Sequence, residues 1–361
     1  MQADNIHKSR LKRLRALLKE NEVEAFFTIN MENIFYLTGF TGSSGILLVG
    51  KRGSTLFTDS RYTLQSKKEV KHSKIVIFKK SVQAFDMISA MKEKVVGFNA
   101  EKLTHKMYLH LEKVLKKKKL KNIVGAVESL RMVKDDHELA IIKRAVTRAK
   151  RSLKDTLASI KVGETEIAIK NRLETMLREN GFEKESFDTI VVSGKNSALI
   201  HGRPSSKRIK RGEYILIDFG GRYKNYCTDM TRTVMLGEPD RKQNEIYNVV
   251  KEAKKLAILE IRDGVSSKRV DAVARDYIKR AGYGDYFLHG LGHGIGLEVH
   301  ESPRLSPNED FILRSGMLVT VEPGIYLENF GGIRIEDMVY ITDTGSKVLT
   351  RGSDNLIIQG K

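Results

Sequence analysis

The sequence predicts two domains, a smaller α/β domain over residues 1–130 and a larger α+β domain over residues 131–361. Three observations lead there. A chain of 361 residues is too long for one typical core. Its first third alternates short apolar runs with helical patterns, the signature of a mixed sheet flanked by helices. The remainder groups long helical patterns apart from strands, the signature of a largely antiparallel sheet.

Taken in order, Ile6, Leu11, Leu14, Leu17 and Leu18 recur at helical spacing and predict a surface helix over 5–21. Strands are expected at Ala25–Ile29, Gly45–Val49, Thr55–Thr58, Ile75–Phe78 and Val95–Phe98, with helices near 60–68, 81–93 and 104–116. Thr58-Asp59-Ser60-Arg61-Tyr62 reads as a helix cap with a local ion pair. The pattern changes across 128–135, where no Pro- or Gly-rich linker occurs, so the two domains are expected to pack together. Long helices follow from His137 to Ile160 and from Glu164 to about Asn180, the second ended by Gly181. Strands are expected at Phe187–Ser193, Glu213–Phe219, Tyr226–Leu236, Met317–Tyr326 and Gly332–Thr342, with helices at about 240–263 and 267–281. No internal repeat is visible.

Composition narrows the possible functions. No apolar run approaches the roughly 20 residues of a membrane span. The first residues are charged and amphipathic, without a signal core, which points to the cytoplasm. A single cysteine, Cys227, excludes an internal disulfide and a thiolate zinc cluster, so any metal must be held by histidine and carboxylate. The net charge is +19, of which residues 1–128 supply +13 (25 Lys+Arg against 12 Asp+Glu). The densest run, Lys113 to Lys121, is interleaved with no aromatic residue and so lacks a base-stacking platform. It reads as solvated surface at the end of a helix running into a strand, not as a specific nucleic-acid site.

The unusual chemistry gathers in the second domain. Between His289 and Glu301 fall three histidines, His289, His293 and His300, with Gly290, Gly292, Gly294 and Gly296 among them. Imidazole binds transition metals and moves protons near neutral pH, and glycine lets the backbone approach a ligand closely. The run is placed on a loop that enters a short strand at Leu297–His300. Its plain alternative is a Gly-rich turn with incidental histidines. Carboxylates also interrupt apolar strands, at Asp218, Asp229, Glu322 and Glu336. A lone buried carboxylate is costly. Any one of the four could pair with Arg222, Arg232, Arg334 or a lysine, but four with His293 call for a shared cation. Two aspartates, two glutamates and a histidine suit two divalent metals, and without thiolates manganese, cobalt, iron or zinc are favoured.

These five residues, with the phrases IDFG, CTDMTRT, GHGIGLEVHE, VEPGIY and GGIRIED, resemble the creatinase/methionine aminopeptidase superfamily, and more narrowly the Xaa-Pro peptidases, aminopeptidase P and prolidase. FYLTGFTGSSG and TDSRY are similar to the N-terminal domain of the same enzymes, so the resemblance covers the whole chain. It implies a pita-bread metallopeptidase domain preceded by a creatinase-like domain, and two divalent metals, manganese foremost. Asp218 would chelate one metal, Asp229 and Glu336 would bridge both, and His293 and Glu322 would complete the second. Glu322 is the implied general base for water activated between the cations. His201 and His300 match substrate-side histidines, the latter at the oxyanion, and His289 matches one near the proline pocket. Thr231, Tyr326 and Arg334 would steer the ligands. Cys227 reads as filler on the same side as Asp229.

The implied substrates are Xaa-Pro dipeptides or peptides with proline at position two, and the implied assembly is a homodimer. Arg304 is placed where some prolidases hold a dipeptide's carboxylate, which leans toward dipeptides. Methionine aminopeptidase is disfavoured by the extra N-terminal domain. A non-catalytic peptide- or nucleic-acid-binding protein on the same fold has only the net charge in its favour, and a metal-free creatine-type hydrolase lacks the acidic set.

Overall fold

The computed structural model describes residues 3–79, 82–352 and 356–358. The chain divides into two compact units, Met1–Arg131 and Met132–Lys361. No helix among the described residues is long and apolar enough to cross a membrane.

The first unit is a six-stranded mixed sheet in the order Lys74–Phe78, Ser54–Asp59, Ile46–Gly50, Ala25–Thr28, Val95–Phe98, Lys119–Asn122. Ser54–Asp59, Ile46–Gly50 and Ala25–Thr28 pair antiparallel in turn, and parallel strands extend both sides of that trio. Phe27, Phe57, Phe98, Ile88 and Leu111 share one core against the helices. The lysine run does end a helix, His105–Val114, and leads into the edge strand Lys119–Asn122. Residue 81, the start of one expected helix, lies outside the described residues; the helix is described over Val82–Ala90. Two helices were not anticipated, the short Glu128–Met132 and Met31–Thr38, the latter capped by the Asn30 side chain and ended by Gly39 at φ 77°. Eight residues carry too few turns for a clear period, leaving only those caps as a signal. Asp59 accepts from Arg61 N and pairs with Arg61 Nε at 2.8 Å, the local cap and ion pair expected of that phrase.

The second unit is an α+β structure in two similar halves. Helices Asp136–Leu157 and Glu166–Glu179 pack on a sheet ordered Ile357–Ile358, Met230–Leu236, Tyr214–Phe219, Ile190–Ser193. Helices Arg241–Glu260 and Ser267–Arg280 pack on a sheet ordered Glu301–Leu305, Gly292–Gly294, Leu318–Val321, Asp337–Thr342, Gly345–Val348. Pairing is antiparallel except where Ile357–Ile358 joins Met230–Leu236. The halves correspond at their turns. Gly163 and Gly264 lie at φ 87° and 81°, Thr165 and Ser266 cap the second helix of each pair, and Gly181 and Gly282 follow those helices at φ 83° and 87°. This repeat was invisible in the sequence because it is carried by backbone conformation and cap chemistry, which tolerate different side chains.

Three expected strands are broken in the structure. Tyr226–Leu236 becomes Tyr226–Cys227 and Met230–Leu236; Met317–Tyr326 becomes Leu318–Val321 and Gly324–Leu327; Gly332–Thr342 becomes Gly331–Arg334 and Asp337–Thr342. At each break the chain leaves one sheet for another. Cys227 therefore does not share a strand with Asp229, and two-residue alternation does not relate them; its buried thiol lies 3.6 Å from Leu297 O. The glycine-histidine run also differs from expectation. Gly292–Gly294 is itself a strand between two others, and Leu297–His300 is bent loop. A Cβ on Gly292 would lie 2.0 Å from Thr320 O, and one on Gly294 would lie 2.3 Å from Ser302 O. Here glycine makes close strand approach possible. Glu301 Oε1 accepts from Leu297 N at 2.9 Å and Glu298 N at 3.2 Å, which turns the following segment out of the ladder.

Candidate active site

Each acid singled out in the sequence sits where a strand ends or breaks. Asp218 is the penultimate residue of Tyr214–Phe219, and Asp229, Glu322 and Glu336 occupy the three breaks. A residue between two sheets escapes strict alternation, so its side chain can turn inward without displacing a neighbour in the ladder. His293 stands in Gly292–Gly294, opposite Arg304 on the antiparallel partner, so the two share a face.

The His293 ring is held in one tautomer. Nδ1 lies 3.0 Å from Gly294 O, and because a carbonyl only accepts, Nδ1 carries the hydrogen. Nε2 is left facing Glu322 Oε1 at 3.4 Å and Asp229 Oδ2 at 3.7 Å. Asp229, His293 and Glu336 each present a ligand atom within 4.8 Å of the others. Thr320 Oγ1 accepts from His293 N at 3.0 Å and donates to Glu322 Oε1 at 3.3 Å, linking the remaining acid to the histidine strand.

The cluster holds more negative charge than its own cations balance. Burial, followed by the charges of Glu336, Asp218 and Glu322, holds the Asp229 carboxyl well above its usual range. Burial with Glu322 and Asp218 does the same to Glu336. Asp218 is raised by burial, offset in part by Arg334. Burial acts against the charged forms of Glu322 and His293 as well, yet their mutual hydrogen bond and attraction lower the first and raise the second. Asp218 Oδ1 and Glu336 Oε1 are buried with no hydrogen-bond partner among the described residues. Orphaned carboxylate oxygens beside acids whose pKa values are raised by burial and by one another's charge are what a divalent cation would relieve, so the donor set fits one.

A second set of residues holds these side chains by hydrogen bonds. Arg334 Nη2 donates to Asp218 Oδ2 at 2.7 Å, Nη1 to Tyr326 Oη at 2.8 Å, and Nε to Thr231 Oγ1 at 3.2 Å. Thr231 Oγ1 donates to Glu336 Oε2 at 2.9 Å. Among the described residues the pairing of these acids with arginines is thus real for Asp218 alone; Arg232 binds Asp337 at 2.8 Å and Arg222 lies 4.0 Å from Glu183. His289 donates from Nδ1 to Gly290 O at 2.8 Å, so its Nε2 accepts from the Tyr326 hydroxyl at 2.9 Å. Burial lowers the His289 pKa and pushes the Tyr326 hydroxyl up to about 12, keeping both neutral.

All five metal-ligand candidates line a cavity of about 890 Å³ together with His201, His289, His300, Arg304 and Arg334. The His300 ring packs edge-on against His293 with centroids 4.4 Å apart, and burial followed by the His293 charge lowers its pKa. His201 is exposed at the cavity wall. The Arg304 side chain is largely exposed, 3.7 Å from Glu309. Thr231 and Tyr326 reach the site through hydrogen bonds and do not line the cavity.

Sequence reasoning overlooked two supports. Asp271 is buried and accepts from Leu291 N at 3.0 Å and from Arg275 Nε at 2.8 Å, while Arg275 Nη2 donates to His289 O at 2.8 Å. The acid–base pair at i,i+4 within an apolar helix face was the available signal. Asp337 is the other, tied to Arg232 and at 2.5 Å to Lys254; its neighbours in the fold are remote in sequence, so no local pattern announces it.

The pita-bread architecture and this centre define a metal-dependent hydrolase. Residues 140–343 match metallopeptidase family M24, and residues 10–133 match the creatinase/prolidase N-terminal domain. The chain belongs to the M24 metallopeptidases and binds divalent metal. It is 37% identical to an Xaa-Pro dipeptidase of Pyrococcus furiosus, over 97% of this chain and all of the relative. The structure of an Xaa-Pro dipeptidase from Bacillus anthracis superposes with a TM-score of 0.93 at 38% identity, covering 98% of this chain and 100% of that one. That of an X-Pro aminopeptidase from Thermotoga maritima superposes at 0.86 with 39% identity, covering 93% and 97%.

Proposed function

We propose that this metallopeptidase hydrolyses the bond between an N-terminal residue and a following proline, with Xaa-Pro dipeptides preferred over longer peptides. The observation that carries this reading is the convergence on one cavity of Asp218, Asp229, His293, Glu322 and Glu336, two of them with orphaned oxygens. Relatives named for Xaa-Pro cleavage match along nearly the whole chain.

Those five side chains would hold two divalent ions, and the oxygen-rich donor set favours manganese, with cobalt, zinc or iron also able to bind. When bound, the ions supply Lewis-acid polarisation of the scissile carbonyl and a water made acidic enough to attack at neutral pH. Glu322, partly open to the cavity, takes a proton at Oε and passes it to the leaving proline nitrogen. His300, neutral beside His293, donates a hydrogen bond to the oxygen that gains charge. His201 contacts the substrate from the opposite loop, and His289, fixed by Tyr326, borders the proline ring. Arg304, on the same face as His293, receives the free carboxylate of a dipeptide, which is the reason for the dipeptide preference. A homodimer in the cytoplasm is the assembly and compartment that accompany this reading; light scattering tests the first.

The test is a metal-stripped sample reconstituted with Mn²⁺ or Co²⁺ and given Xaa-Pro dipeptides, Xaa-Pro-Xaa tripeptides and a Met-Ala peptide. Metal-dependent release of proline, faster from dipeptides, is expected. Cleavage of Met-Ala without proline cleavage would overturn the reading, and faster tripeptide turnover would overturn the length preference.

A further inference from the structure

Glu166 opens the helix Glu166–Glu179 and is completely buried. Its carboxylate binds both ends of one loop. Oε1 accepts from Ser193 N at 2.7 Å, Ser193 Oγ at 2.9 Å and Asn196 Nδ2 at 3.3 Å. Oε2 accepts from Ser205 N at 3.0 Å and Ser205 Oγ at 2.7 Å. Lys207 Nζ reaches the acid only indirectly, by donating to Ser193 Oγ at 2.7 Å. Between the two anchored serines lies the segment that carries His201 to the cavity wall.

The matching position in the other half of the domain is Ser267, also the first residue after a capping residue. Its hydroxyl donates to Glu309 O at 3.2 Å and accepts from Phe311 N at 3.1 Å, which holds the equivalent loop by one of its ends. A serine therefore suffices for this turn of the fold. The carboxylate in the first half spans further, ties two loop ends at once, and is buried without a direct ion pair among the described residues. A buried acid of that kind is costly unless each of its hydrogen bonds is satisfied.

We propose that Glu166 is a positioning residue for the peptidase reaction, setting the 194–204 loop so that His201 meets the substrate; this rests on the substrate-side reading of His201. Both carboxylate oxygens accept only, so in Glu166→Gln one end of the loop must face an NH₂ group whichever way the amide turns. The loop is released at one anchor while the helix and the metal ligands stay in place.

The experiment combines Glu166→Gln, the milder Ser205→Ala, His201→Ala and the double variant Glu166→Gln/His201→Ala, each loaded with Mn²⁺. Glu166→Gln should lower kcat/KM on an Xaa-Pro dipeptide about 10- to 100-fold, as displaced supporting groups do. On the His201→Ala background the same change should cost less than about threefold, because its target is gone. Hydrogen exchange across residues 194–206 should accelerate in Glu166→Gln and Ser205→Ala, with Mn²⁺ affinity by calorimetry unchanged. Full additivity with His201→Ala, unchanged exchange, or a matching loss of Mn²⁺ affinity would overturn the proposal. An active His201→Ala would instead sink the reading of His201; accelerated exchange would then still show that Glu166 holds the loop, without a catalytic consequence.

Discussion

Arg334 Nη2 donates to Asp218 Oδ2 at 2.7 Å, leaving Asp218 Oδ1 buried and unpartnered beside the other acids. One guanidinium thus aims the free oxygen of an acid and, through Tyr326, fixes a histidine on the cavity wall. Arg334→Met should weaken Mn²⁺ binding and lower kcat/KM by about 10- to 100-fold. Calorimetry and dipeptide hydrolysis measure the two losses. Arg334→Lys should recover little, since an ammonium cannot span Asp218, Tyr326 and Thr231 together.

Metal binding should be linked to protons. Burial and crowding raise the Asp229 and Glu336 carboxyls, so in the metal-free protein the folded state binds protons that the unfolded chain has released. Stability without metal is then greatest below the ordinary carboxylate pKa and falls as pH rises toward the folded values. Mn²⁺ replaces those protons, so the rise in Tm on adding it should grow as pH rises through the raised folded values. Calorimetry in buffers of different ionisation enthalpy should show net proton release.

Asp337 is buried between Arg232 at 2.8 Å and Lys254 at 2.5 Å, and Arg232 also donates to the carbonyl of Glu336. Asp337→Asn removes the buried carboxylate charge that Arg232 and Lys254 share and should cost about 3–5 kcal/mol in urea denaturation with an unchanged m-value. Burial opposes the charged carboxylate, but Arg232 and Lys254 outweigh it and hold its pKa below the usual range. Its contribution is accordingly present above the ordinary aspartate pKa and is lost as pH falls through the lower folded value.

Gly292→Ala should be severe. The added Cβ would meet a backbone oxygen, Thr320 O, at 2.0 Å, and the strand carrying His293 would have to move. A loss of about 3 kcal/mol or more is expected, together with weakened Mn²⁺ binding. Gly53→Ala, with open space around it, should stay within about 0.5 kcal/mol of the parent in the same melts.

Arg304→Ala should raise KM for a dipeptide about tenfold, the low end for a charge-assisted hydrogen bond at an exposed group. An Xaa-Pro amide, which lacks the carboxylate, should show no such change. Equal effects on both substrates would remove Arg304 from carboxylate recognition.

Much of the site was legible because its chemistry is improbable locally. Asp218, Asp229, Glu322 and Glu336 stand among valines, isoleucines and leucines, and carboxylates there demand compensation. His293 stood out by its glycines, although those glycines serve a central strand and not the expected loop. What stayed hidden depended on partners far apart in the chain. Glu166 resembled an ordinary first-turn acid, and its grip on Ser193 and Ser205 exists only once the loop closes. Asp337, Arg232 and Lys254 lie on three separate elements.

Residue chemistry and local period, which a linear chain carries by itself, determined the two-domain α/β and α+β organisation and marked out the candidate metal ligands, while the phrases around those residues carried the family resemblance. Tertiary structure alone decided that three strands break, because a sheet's alternation yields only where the chain must pass from one hydrogen-bonded layer to another. Those breaks are where Asp229, Glu322 and Glu336 turn inward. Convergence on one cavity is therefore a property of sheet topology, which no single segment encodes.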